Sequence, residues 1–177
     1  MVLSTVQTFS LMIGVIYYIF SMRNSQRTQQ IALETRQAQL LMQIYQRMNT
    51  PELWSDYAEI LSYEWDSYED FELKYGSGDH PDLFGKRASI WRIFDGVGLL
   101  VKEGLLDVVK VYELMDASVI WQWMKWGPII KEQRIRYGFP DLNIWFEYLA
   151  DEMYRIRRQR GVTAEPSETF GHYISDE

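Results

Sequence analysis

The sequence predicts an all-α protein: a single N-terminal transmembrane helix continuing into a stalk, then a cytoplasmic helical bundle of about five to six helices. Three observations carry this. From Val2 to Met22 there are 21 residues without one Asp, Glu, Lys or Arg, and a helix rising about 1.5 Å per residue covers the roughly 30 Å hydrocarbon core in that length. Downstream, apolar residues recur at three- and four-residue steps between helix start and stop signals. The 155 positions after Met22, in a chain 47% hydrophobic and 15% aromatic, suffice for one domain with a real core.

Residues 1–22 are expected to be the anchor. A cleaved signal peptide would carry positive charge ahead of its apolar region and small residues at the cut. Here MVLSTVQTFS has no Lys or Arg, and Ile19, Phe20 and Ser21 make a poor cleavage site. Arg23, Arg27 and Arg36 follow the run with only Glu34 against them. That bias places the N-terminus outside and the bulk of the chain in the cytoplasm, as a single-pass signal anchor of the cell membrane. Along the anchor Gln7, Ser10, Gly14, Tyr17 and Ser21 form one small or polar stripe, a face on which a second transmembrane helix, identical or not, can pack closely.

Residues 23–49 read as a juxtamembrane stalk helix, free of Gly and Pro. Ile31, Ala38, Leu41, Tyr45 and Met48 fall on one seam broken by Glu34, with Leu33, Leu40 and Ile44 beside it. This half is expected to be buried, against its own domain or in a short coiled coil. Residues 50–160 make up the bundle domain. Thr50 caps a helix opened by Pro51 and running to about Trp65; Ser67 caps a shorter one ending before Gly76. GSGDHP at 76–81 reads as a surface loop. A long helix spans roughly Asp82 to Glu103 and closes at Gly104, its internal Gly96 and Gly98 suggesting close backbone contact. Asp107 starts a helix apolar around nearly its whole circumference, hence expected to be central, until Gly127 and Pro128 break or kink it. The Gly138–Pro140 turn opens a last helix to about Arg160, and 161–177 is an acidic tail expected to be flexible.

Composition excludes several chemistries. With no cysteine the chain has no thiol nucleophile, lipid-attachment cysteine or cysteine-built metal site. A di-iron bundle needs Glu three residues before each histidine, but Ser77 precedes His80 and Thr169 precedes His172. Lys86 followed by Arg87 spoils the one approach to a phosphate loop, and HExxH, GxSxG and GxGxxG are missing. No cofactor, metal or catalytic residue is expected. The net charge of −7 argues against nucleic acid as a partner. Ten acids from Glu52 to Asp82 face Lys74 alone, a local charge of −9; such a stretch suits a solvated face, a basic protein partner, or paired carboxylates such as Glu64 with Asp66 and Glu69 with Asp70. Arg155, Arg157, Arg158 and Arg160 suit the end of a helix dipole or a lipid surface. Trp121, Trp123 and Trp126 read as core, with Trp121 and Trp126 the candidate lining of a ligand pocket.

The stretches FDGVGLLVKEGLLDVVKVYELM and WGPIIKEQRIRYGFPDL, between Phe94 and Leu149, with LLMQIYQRMNTPELWSDYAEIL before them, resemble a family of uncharacterised prokaryotic proteins, a domain of unknown function in which an N-terminal anchor precedes a helical domain. Gly98, Leu99, Leu100, Gly104 and Pro128 look like that family's structural positions. The resemblance implies an all-α domain held at the membrane and carries no activity. The expected function is contact without catalysis: an accessory or scaffold subunit of a membrane complex, its partners being membrane lipid and other membrane protein subunits or itself. The alternatives are a sensor that binds an apolar ligand in the aromatic bundle, and an enzyme built from carboxylates alone.

Overall fold

The computed structural model describes residues 2–162, with side chains from Leu11 onward except that of Asp116. These residues are all α, in the order α1 (Val2–Met48), α2 (Pro51–Leu61), α3 (Tyr68–Tyr75), α4 (Pro81–Lys102), α5 (Val108–Tyr137) and α6 (Ile144–Gln159). The chain divides into two compact units, Met1–Leu40 and Leu41–Glu177. The first is a helix by itself. The second holds the last two turns of α1 and all of α2 to α6.

The division falls inside the expected 23–49 stalk, whose final turns from Leu41 group with the bundle. Leu41 is buried, whereas Ile31 and Ala38 on the proposed seam, and Leu33 beside it, stay exposed, because the first unit holds no second element. The flexible-tail expectation for 161–177 falls, from Thr163 onward, outside the described residues.

Local chemistry sets most boundaries. The Thr50 hydroxyl accepts from Leu53 N–H and opens α2, Ser67 does the same for Asp70 N–H in α3, and the Asp107 carboxylate takes Val109 and Lys110 N–H at the start of α5. Gly104 and Gly138 close α4 and α5 at φ 70° and 65°, a left-handed conformation that glycine adopts without penalty. Contrary to the sequence reading, α2 stops at Leu61 instead of Trp65. Side chains two apart face opposite sides of a helix but the same side of an extended chain. By leaving the helix at Ser62 the chain turns both Tyr63, stacked on Tyr75 at 4.2 Å, and Trp65, stacked on Trp126 at 4.8 Å, toward the interior.

Of the break or kink expected at Gly127 and Pro128, the break does not occur: one helix runs from Val108 to Tyr137. Proline removes one N–H from the ladder, and here the fully buried Trp126 and Ile130 on either side hold both halves in the same core. The core gathers Ile60, Phe71, Phe94, Val119, Phe146, Leu149 and Met153, all fully buried. The two glycines inside α4 behave differently: a Cβ on Gly98 would overlap the backbone carbonyl of Trp145 in α6, whereas around Gly96 the space is open. Close contact is thus real at Gly98 and absent at Gly96.

Candidate functional site

In the first unit α1 exposes apolar residues around its whole circumference: Leu11 is 71% exposed, Ile13 65%, Tyr17 75% and Phe20 66%. Gly14 and Ser21 of the expected packing stripe are exposed too, and a Cβ on Gly14 would meet nothing within 4 Å; the side chains of Gln7 and Ser10 lie outside the described residues. Arg23, Arg27 and Arg36 follow, all exposed. Among the described residues no helix is long and apolar enough to cross a membrane. Of the charge-free run, the described side chains are the 12 from Leu11 to Met22, about 18 Å of helix.

In the second unit the two tryptophans of the expected pocket are apart. Trp126 is fully buried, and besides stacking on Trp65 it meets Trp91 at 5.4 Å and Phe71 at 6.0 Å, edge to face. Trp121, five positions earlier and so about 140° around α5, lines a separate surface groove of about 310 Å³ with Tyr45, Met48, Trp54, Tyr57 and Leu114. No described cavity is lined by both.

Inside the aromatic cluster sits a residue that the sequence reading passed over. Arg87 is 1% exposed, its guanidinium carbon 4.8 Å from the Phe71 ring centre, 5.3 Å from Trp91, 5.5 Å from Phe84 and 5.8 Å from Trp126. It donates through Nη1 to the Tyr75 carbonyl at 3.0 Å. Burial pulls its pKa down to about 10, with the charge of Glu72 pulling it partly back, so it remains a cation at neutral pH, set among ring faces. The available signal was Phe84, Arg87 and Trp91 at helical spacing on the face that also carries Ile90 and Phe94.

None of the ten acids between Glu52 and Asp82 is buried, and several hold the fold together. Lys86 pairs with Glu59 at 2.6 Å, Lys74 with Asp70 at 2.6 Å and Arg136 with Glu69 at 2.7 Å. The Glu59 carboxyl is held below its ordinary range by the Lys86 hydrogen bond, Asp70 by that of Lys74, and Glu69 by its own backbone N–H and then Arg136. Glu72 accepts from the Tyr68 hydroxyl at 2.7 Å and the Tyr137 hydroxyl at 3.0 Å. At the end of α6, Arg155 pairs with Glu152 and Arg160 with Glu113, each at 2.5 Å. Among the described residues no group of His, Asp and Glu could hold a metal ion. No protein-family model, curated protein or solved structure matches the chain.

Proposed function

We propose that the chain is a membrane-anchored helical interaction protein, an accessory or scaffold subunit of a membrane complex, with its N-terminus outside and its bundle on the cytoplasmic side. The observation that carries this reading is the all-round exposure of the apolar side chains from Leu11 to Met22, closed by Arg23, Arg27 and Arg36. A helix apolar on every side is covered by hydrocarbon or by other helices, and the trailing arginines select the inner face. The Gly14 and Ser21 side of α1 is where a second transmembrane helix would approach most closely. Membership of the anchored helical family that the Phe94–Leu149 stretch resembles belongs to the same proposal. Among the described residues, the readings as a Trp121–Trp126 ligand sensor or a carboxylate enzyme find no described cavity shared by the two tryptophans and no buried acid pair in 52–82 to support them.

Native mass measurement after gentle detergent extraction tests the complex: a foreign subunit or a second copy held in stoichiometric amount is expected, and a bare monomer would sink the scaffold reading. Because the chain contains no cysteine, Ser4→Cys and Thr163→Cys can be labelled one at a time with an impermeant maleimide on intact cells and on inverted vesicles. Labelling from opposite sides is expected; labelling from one side overturns the orientation.

A further inference from the structure

Between α3, α4, α5 and the turn leading to α6 opens a cleft of about 430 Å³, a size typical of small-molecule sites. Its floor is made of Arg87, Trp91 and Gln133, which are 1%, 4% and 5% exposed. Two of them hold polar capacity that the fold leaves unused. Arg87 makes its single hydrogen bond through Nη1, and its Nε has no partner. The indole Nε1 of Trp91 has no acceptor. Gln133 lines the cleft beside them with its amide. Buried polar groups in folded proteins are nearly always satisfied, so two orphaned N–H groups on one cleft floor form an unusual pair.

Of the three acids that line the cleft, Glu72, Asp95 and Asp141, the first two are already engaged. Glu72 accepts from the two tyrosine hydroxyls, and Asp95 Oδ1 accepts the N–H groups of Trp145 and Phe146 at 3.0 Å each. Arg87 has no carboxylate within ion-pair distance among the described residues. The aromatic rings offset its charge but accept no in-plane N–H. What the floor lacks is therefore an acceptor, preferably planar and charged, since the guanidinium fork matches a carboxylate with two parallel hydrogen bonds. Phe84, Trp91 and Leu142 supply apolar walls.

We propose that this cleft binds a small organic carboxylate with a flat apolar body, its carboxylate on Arg87 and Gln133 and its body between Phe84, Trp91 and Leu142. The site lies wholly within the second unit and stands independently of the membrane anchor.

Benzoate titrated calorimetrically into the full chain in detergent tests it, with benzamide as the uncharged control and empty micelles as the blank. Saturable binding of benzoate at one site is expected, with benzamide about tenfold weaker, the loss that accompanies one charge-assisted hydrogen bond. Gln133→Leu keeps the bulk of the side chain and removes the amide; it should weaken benzoate by about tenfold while the ligand-free variant unfolds no earlier than the parent. Arg92→Ala, at the rim, should leave affinity within about twofold. Absence of saturation, equal affinity for benzamide, or undiminished affinity in Gln133→Leu would each overturn the assignment, as would a loss confined to Arg92→Ala.

Discussion

The carbonyl of Trp145 lies where a side chain on Gly98 would have to begin. Helices α4 and α6 touch backbone to backbone there, and any Cβ drives them apart. Gly98→Ala should therefore destabilise the domain by about 3 kcal/mol, the upper end of overpacking costs. Gly96→Ala, two positions along the same helix with open space around it, should stabilise by about 0.5–1 kcal/mol through helix propensity. Urea unfolding of the pair decides it: shifts in the same direction would contradict the contact.

Asp95 caps α6 from another helix. Asn143 stands at the N-cap position with φ 51° and makes no side-chain cap, and the first amides of α6 bond instead to the Asp95 carboxylate of α4. Asp95→Ala should cost about 2–3 kcal/mol, the range for hydrogen bonds to a charged group, and Asp95→Asn about half of that. Thermal unfolding gives the order; an alanine variant as stable as the parent would refute the cap.

Lys125 is 3% exposed, lies 4.9 Å from the Trp65 ring centre, and has its pKa pulled by burial from the ordinary 10.5 to about 8, with Glu64 pulling it partly back. Its folded pKa thus lies below its unfolded one. Below about pH 8 both states hold the proton and the cost of the buried charge is fully present. Between about 8 and 10.5 the unfolded chain binds more protons, so stability rises with pH. Lys125→Met should be more stable than the parent by about 1–2 kcal/mol near neutral pH, and the difference should shrink toward about pH 10. A difference that does not change with pH would dismiss the titration. Comparison with the variant also cancels Tyr57, whose hydroxyl is raised by burial and acts in the opposite direction at higher pH.

For the proposed anchor, Ile13→Arg with Ile16→Arg places two charges within the run, each costing about 2.5–3.5 kcal/mol at the centre of a membrane helix. The double variant should move from the membrane pellet to the soluble fraction. Unchanged partitioning would show that lipid is not what covers these residues.

What the sequence made legible was local. Thr50, Ser67 and Asp107 announce their helices because a capping side chain bonds its own backbone within three positions, and Gly104 and Gly138 end theirs for equally local reasons. What it hid depends on residues far apart. The cap of α6 comes from Asp95, 50 positions before Trp145. Pro128 continues a helix because neighbours on both sides are buried. Arg87 looks like a surface cation until Phe71, Trp91 and Trp126 assemble around it. The charge-free run and its arginines suggested a transmembrane anchor, whereas among the described residues no helix is long and apolar enough to cross a membrane; the pairing of Trp121 with Trp126 failed because five residues on a helix point to different neighbours.

Trp65 and Trp126 lie nearly face to face, their ring planes 30° apart. Indoles this close share their electronic transitions, and Trp91 lies 5.4 Å from Trp126 on its other contact, so Trp65 should add its own share to a coupled near-ultraviolet circular dichroism signal. An unlabelled sample thereby carries its own optical gauge of whether the segment between α2 and α3 is seated, and that signal should vanish first when the segment lifts away.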